Sequence, residues 1–519
     1  GVTADFFNYG TGSYNEIHLH NGEFLHNIGL RGQGMVVAML DAGFFNYTTL
    51  KAFDSANLNG QILTTWDFVA RHASVVEDNS HGMQCLSTIV ANIPGQFIGK
   101  APKASFHLFR TEDVASEYPI EEHNWICGAE RADSTGSDII SSSLGYYDFD
   151  NATFNYTYSN MNGNSTMSVI GADLAAKKGL IVFNAVGNEG GNSWNFLITP
   201  SDGDSVVAVG AVNAAGVVGG FSSFGPSSDG QIKPDMASVG VSAMIQGSGN
   251  TVVTGNGTSF ACPNMAGLGT CLWQGFPEFN NMKIIRAMQQ AGSIATAPND
   301  RIGYGIPNMK TAFANLLVEF ATSNATLNAC NATINWTSKD VSAMKYEMER
   351  KLPGEAVYSK IADINPQAGL ILANHSYQFN NAIISPTPGV VSYRIRQIID
   401  TAVATFTAVY IDTANVTITG GCFATGTGNV DPNKESITIQ PNPVSGSSIT
   451  LVVETAYAVT NMPIAVYDSK GRLMMQLSSS KGTGKKTIEL VIDGLAKGKY
   501  YIKVLNGVKT IGTAEMLKL

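Results

Sequence analysis

A chain of 519 residues suggests two to four domains, and 44% hydrophobic against 14% charged residues supplies large apolar cores, which excludes global disorder. The 54 glycines favour a loop-rich α/β or all-β protein over a helical bundle. A net charge of −9 lacks the basic face of a nucleic-acid binder, and no apolar run reaches the roughly 18 residues that span a bilayer.

The charge is uneven. Residues 431–519 hold 11 Lys+Arg against 7 Asp+Glu, whereas the preceding 430 residues hold 21 against 34, so the tail reads as a separate module. The chain begins with Gly1 and no basic-then-apolar leader; a removed leader or propeptide accounts for such a start, and so does an engineered one. Six cysteines are too few for a disulfide framework. Cys262 and Cys271 share one predicted helix, about 13.5 Å of rise apart, beyond disulfide reach. Cys330 and Cys422 bracket one candidate domain and are open to pairing in an exported protein; Cys85 and Cys127 are a second candidate pair, but read rather as buried free thiols.

In chain order, residues 1–317 alternate short apolar runs with helical stretches, the pattern of a buried parallel sheet. The expected strands are Met35–Leu40, Ser105–Phe109, Asp138–Ser142, Gly179–Ala185 and Ser205–Val212. The expected helices are Gly82–Ala91, Ile120–Ala132, Met167–Lys178 and Pro263–Gln274, the last apolar nearly all round and so central. Residues 318–422 turn to period-two alternation in Ala332–Thr337, Lys345–Arg350, Val391–Ile399 and Thr405–Ile411, which predicts a small antiparallel sandwich anchored by Trp336. Residues 423–436 read as a linker, and 437–519 as a third, strand-rich module with hairpin turns at Ser469–Gly471 and Lys481–Gly484.

Four segments carry chemistry. In GQGMVVAMLDAGF a buried strand ends in Asp41, and the carboxyl ends of parallel strands are where active groups collect. In EDNSHGMQC, His81 opens a helix, with Gly82 as a small neighbour that lets a substrate backbone approach. In GNGTSFACPNMAG, Ser259 lies between a Gly-rich turn and a buried helix, with Pro263 in the first helical turn. Free N–H groups and the positive dipole end there favour an oxyanion. In LIVFNAVGNEGG, the Asn188 amide is a donor for developing negative charge. Taken singly, Asp41 reads as a turn or helix-cap residue, His81 as a surface or cap histidine and Asn188 as a turn residue, whereas Ser259 reads as more than an N-cap, because a cap needs none of Gly257, Thr258, Ala261 and Pro263.

Together, VVAMLDAGF, NSHGMQC, NAVGNEGG and GNGTSFACPNMAG resemble the signature blocks of the subtilase (subtilisin-like) serine peptidases, over about 300 residues that also include IISSSLGY and FSSFGP. The resemblance implies a subtilisin-like parallel sheet flanked by helices. It implies a triad of Asp41, His81 and Ser259, with Asn188 in the oxyanion hole. It makes Ser143, Leu144, Gly145 and Ala185, Val186, Gly187 the two sides of the pocket for the residue before the scissile bond (P1). Leu197 or Ile198 is expected to floor that pocket. With no acidic residue on these walls, apolar or medium-sized P1 residues are expected. The resemblance requires no cofactor for the chemistry and admits structural calcium, although no D-x-D-x-D-G loop occurs. The family pattern is altered at Cys262, where Ser is frequent, and in the Asn/Tyr-rich loop Asp148–Ser168, which is expected to reshape the cleft.

The middle segment resembles a fibronectin type III-like sandwich through INWTS, YEMERK and SYRIRQI. The tail, with IQPNPVSG, VYDSKGRLM and GLAKGKYYIKVLNGVKTIGTAEMLKL, resembles the C-terminal sorting domain of the type IX (Por) secretion system of Bacteroidetes. That implies a secreted or cell-surface protein whose partners are peptide substrates and the export machinery. An idle, adhesin-like relative and a narrow precursor-processing enzyme are the competing readings. The intact set of four residues argues against the first, and the absence of acidic wall residues against dibasic processing.

Overall fold

The computed structural model describes residues 5–76, 79–401, 408–422 and 435–519. The chain divides into two compact units. One holds the residues up to Ala382 with Gly389–Ile418; the other holds Ile383–Pro388 with Thr419–Leu519.

The first unit is built on a seven-stranded, wholly parallel sheet. Its strands are β1 (Val36–Asp41), β2 (Ile62–Asp67), β3 (Ser105–Arg110), β4 (Ile139–Ser142), β5 (Ile181–Ala185), β6 (Val206–Val212) and β7 (Met236–Val239), in the spatial order β2-β3-β1-β4-β5-β6-β7. The helices that matter for the site are α1 (Thr11–Leu19), α2 (Glu23–Asn27), α3 (His81–Val90), α4 (Ile120–Ser134), α5 (Met167–Lys178) and α6 (Thr258–Gln274).

Alternation along the strands sorts the helices onto two faces. Ala38, Leu40, Ile140 and Val182 pack with Trp125 and Ala129 of α4 and with Ala172 and Ala175 of α5. On the opposite face, the Phe183 ring lies where a Cβ on Gly269 of α6 would sit, and Ser141 Oγ is 3.9 Å from Cys262 Sγ. Both faces are thus dry, which is why the inner strands read as unbroken apolar runs. β2 and β7 were not legible. β2 is an edge strand with exposed Leu63 and Thr64, and β7 is only four residues long.

Within the same unit, seven antiparallel strands follow, in sheets of three and four. The helix Met309–Phe320 runs through the boundary expected at 317/318. Trp336 is buried there, stacked on Tyr377 at 5.0 Å and edge-on to Tyr346. The expected strand Thr405–Ile411 begins outside the described residues; the strand observed is Val409–Ile418. The expected linker also lies outside them, apart from its last two positions.

The second unit again carries sheets of three and four strands. Ser469–Gly471 does turn a hairpin, between Val459–Asp468 and Leu473–Lys481. The turn at Lys481–Gly484 does not: the strands it joins pair in different sheets, because a Gly-rich turn specifies reversal but not the partner. Cys330 and Cys422 are each disulfide-bonded. The other four cysteines are free, and Cys127 is half-buried, not buried as expected.

Two buried imidazoles tie α1 and α2 to the core. His20 contacts the Pro307 carbonyl at 2.9 Å and Ser238 Oγ at 3.0 Å. His26 contacts Tyr9 Oη at 2.6 Å and the Lys100 carbonyl at 2.9 Å. Burial, against the pull of the Pro307 carbonyl, pushes His20 down to about 4 from 6.5; burial likewise holds His26 at about 4. The fold therefore favours the neutral rings, while the unfolded chain takes up protons below about pH 6.5. Their contribution is complete above that pH and is lost as the pH falls towards 4, by up to about 3 kcal/mol each. Thermal unfolding of wild type and His26→Gln compared from pH 7 to pH 4 isolates this contribution, and the advantage of the wild type is expected to shrink over the window. His26→Gln should make the dependence shallower; an unchanged slope contradicts the assignment.

Candidate active site

The sites predicted from sequence gather at the carboxyl end of the parallel sheet. Asp41 is the last residue of β1 and is fully buried. Its Oδ1 accepts from the Ala42 N–H at 2.7 Å and lies 2.7 Å from His81 Nδ1. His81 is the first residue of α3, with its own N–H on Asn79 Oδ1 at 2.8 Å and 32% of its side chain exposed. Burial opposes a charged ring, but the adjacent Asp41 carboxylate outweighs it and raises the imidazole well above 6.5.

Gly82 has a different use from the one expected. It is buried, and a Cβ there would lie 2.5 Å from the Gly43 carbonyl and 2.7 Å from Asp41 Cβ. Its lack of a side chain lets α3 close onto β1 and so brings His81 to Asp41; it does not face a substrate.

Ser259 is the second residue of α6, which starts five residues before the expected position. Pro263 consequently sits in the second turn. Having no N–H, it cannot bond to the carbonyl four residues earlier, which is that of Ser259. That carbonyl is taken up by two side chains: Ser143 Oγ donates to it at 2.8 Å and the Cys85 thiol at 3.2 Å. Cys85 lies one turn after His81 on α3, with its sulfur 3.9 Å from His81 Nδ1. Sequence reading took Cys85 for a buried free thiol, which it is, but gave it no place in the site, although the spacing His-x-x-x-Cys puts both on one helical face. The Ser259 hydroxyl is turned to the Ser143 carbonyl at 3.5 Å, the outer limit of a hydrogen bond, rather than to His81.

Asn188 is held through its oxygen. The Thr258 N–H and hydroxyl both donate to Oδ1, at 2.9 and 3.0 Å. The backbone N–H is only a donor, so the oxygen must face it, and the amide NH₂ is left pointing away.

Residues 32–305 match the family described as the subtilase family, and residues 438–514 match the secretion system C-terminal sorting domain. The first match spans more than half of the chain. The chain belongs to the subtilase family. It is a subtilisin-like serine peptidase with a sorting tail that marks it as secreted or cell-surface. Among curated relatives, a thermostable alkaline protease from Halalkalibacterium halodurans is 26% identical over 280 residues, 54% of this chain and 68% of its own. Subtilisin E from Bacillus subtilis is 28% identical over 285 residues, 54% of this chain and 65% of its own. The chain thus spans about two thirds of the length of these relatives. A solved structure of MycP1 from Mycobacterium smegmatis is 18% identical at a TM-score of 0.46, covering 59% of this chain and 85% of that one. Among the described residues no helix is long and apolar enough to cross a membrane.

In this subtilase the two expected wall segments continue β4 and β5. Ile198 lies between them: its side chain is within 2.6 Å of where a Cβ on Gly145 would sit and 3.0 Å of one on Gly187. Leu197 belongs instead to the core behind, with Val186 and Met161. Met161 comes from the loop Asp148–Ser168, so that part of the loop backs the wall from behind. Tyr147, beside the first wall, stacks on Trp194 and donates to Glu189 at 3.0 Å.

Among the described residues, two groups bring metal-ligand atom types within 4.8 Å of one another: Asp41, His81 and Cys85, and Glu112, Glu117 and Glu121. In the first, Asp41 Oδ1 and His81 Nδ1 engage each other and the Cys85 thiol donates to the Ser259 carbonyl. The second consists of the hard oxygens that calcium takes, with Tyr146 donating to Glu112 at 3.1 Å. Burial and mutual repulsion raise Glu112 well above the usual carboxylate range and hold Glu117 at about 8.

Proposed function

We propose that this subtilase is a secreted endopeptidase that hydrolyses peptide bonds through Asp41, His81 and Ser259 and an acyl-enzyme intermediate. The observation that carries the reading is the 2.7 Å bond from buried Asp41 to part-exposed His81, one turn from the thiol that holds the Ser259 carbonyl. A rotation about χ1 takes the Ser259 hydroxyl from the Ser143 carbonyl towards His81. The neutral imidazole accepts its proton as Oγ bonds to the peptide carbon. The oxyanion is met by the Asn188 amide and the Ser259 N–H, unpaired in the first turn of α6. His81 then protonates the departing amine, and water activated by the same ring cleaves the ester.

Substrate lies extended between Ser143–Gly145 and Ala185–Gly187, pairing with their backbone. Ile198 makes the slot shallow, which suits small or medium apolar P1 side chains. No cofactor enters the chemistry; Glu112, Glu117 and Glu121 are the residues that would hold a structural calcium. The proposed domains are a peptidase whose last helix, Met309–Phe320, carries it past the expected end at 317, a fibronectin type III-like spacer from there to 422, a linker at 423–436 and a module at 437–519 that engages the type IX export machinery.

A fluorophosphonate probe should label Ser259 in the wild type and fail on Ser259→Ala; labelling elsewhere, or none, contradicts the reading. His81 works only when neutral and its pKa is raised, so kcat/KM should fall with acidification along a limb centred above 6.5. Asp41→Asn should move that limb to lower pH while cutting kcat about 10⁴-fold. Asn188→Ala should lower kcat about 10²–10³-fold, the scale known for such a donor in the subtilisins themselves, with KM little changed. Ile198→Gly should raise kcat/KM for Phe or Leu at P1 at least about tenfold relative to Ala at P1, measured on a peptide series.

A further inference from the structure

The slot exists because two paired strands part. β4 and β5 are in parallel register up to Ser142 and Asn184, and beyond that pair the chains diverge into Ser143–Gly145 and Ala185–Gly187. Diverging carboxyl ends open a crevice, but they also remove the backbone hydrogen bonds that would fix its width.

One side chain replaces them. Asn184, the last residue of β5 that pairs with β4, is fully buried. Its Nδ2 donates to the Leu144 carbonyl at 3.0 Å and to the Ala185 carbonyl at 2.9 Å. A carbonyl only accepts, so both protons of the amide are committed and its orientation is fixed. One bond goes to each wall. The consequence is that Asn184 Oδ1 is buried without a hydrogen-bond partner. An apolar residue at this position would leave no such acceptor stranded, and the sequence, NAVGNEGG after an apolar LIVF, otherwise fills the strand with hydrophobic side chains. A buried amide with one end unsatisfied is a local cost that calls for a function. The third side of the slot is hung from the same walls: the Ile198 N–H donates to the Val186 carbonyl at 3.2 Å, and the Tyr146 N–H to the Thr199 carbonyl at 2.9 Å.

We propose that Asn184 is a positioning residue that sets the separation of the two walls and thereby which P1 side chains the slot accepts. This rests on the reading of Ser143–Gly145 and Ala185–Gly187 as the P1 walls. Asn184 touches neither substrate nor the Asp41–His81 pair; it acts through Leu144 and Ala185.

The test compares wild type, Asn184→Ala and Asn184→Ser on peptides that differ only at P1, alongside the rate at which a small fluorophosphonate lacking a P1 side chain labels Ser259. In Asn184→Ala the ratio of kcat/KM for the preferred P1 residue over a bulky one should collapse at least about tenfold, chiefly through KM, while the labelling rate stays within about twofold. Asn184→Ser, which keeps one donor, should recover part of the ratio. A selectivity ratio unchanged within about twofold overturns the proposal. So does a uniform fall across all P1 residues and the labelling rate together, which signals general misfolding of the site. If the wild type itself is not labelled at Ser259, the endopeptidase reading fails first, and that outcome is distinct from a labelled, active enzyme whose selectivity ignores position 184.

Discussion

The site is organised around one carbonyl group, that of Ser259. An α-helix normally consumes this oxygen in a bond from the residue four positions on. Pro263 occupies that position and has no proton to give, so the carbonyl is available in the middle of a dry interface. Leaving it unpaired there would be costly. The Ser143 hydroxyl and the Cys85 thiol settle it from two different elements, the end of β4 and the inner face of α3. A single defect in the helix ladder thereby ties Ser259 to the wall segment on one side and to the helix bearing His81 on the other.

The electrostatics follow the same economy of position. Asp41 is carried to the end of a central strand and buried, and Gly82 allows α3 to approach closely enough for His81 to reach it. In that dry contact the carboxylate dominates the behaviour of the ring. Elsewhere in the same unit burial prevails over weaker opposing hydrogen bonds: His20 and His26 are held neutral, and Glu112 and Glu117 are pushed towards protonation. Burial disfavours the charged form at every one of these groups, and only at His81 does a counter-charge within hydrogen-bond range overcome it.

Much of this was legible in the sequence for a definite reason. The inner strands are dry on both faces, so they appear as apolar runs, and Asp41, Asn188 and Ser259 stand where such runs or a Gly-rich turn meet the next element. The edge strand β2 and the four-residue β7 have no such signature. The true start of α6 was missed because proline was taken as a marker of the first turn, when here its missing donor is put to use one turn further in. The roles of Cys85, Asn184 and Thr258 escaped sequence reading because they lie in which atom each meets across the fold, a relation that local pattern does not encode. The same holds for Lys481–Gly484, where the turn was recognisable and its destination was not.

Reactivity and selectivity are separable in this architecture. His81 and Ser259 sit at helix N-termini, and Asn188 is steered by Thr258 at the start of α6. The slot, by contrast, is a property of β4 and β5 parting, of the Asn184 amide between them and of Ile198 across them. The two systems meet at Ser143, whose hydroxyl holds the Ser259 carbonyl while its backbone begins one wall, and at Gly187, which ends the other wall and leads directly into Asn188. A change at the base of the slot can therefore alter which side chain fits without moving the reacting groups. A change at Ser143 cannot do so, because it disturbs the wall and the anchor of Ser259 at once.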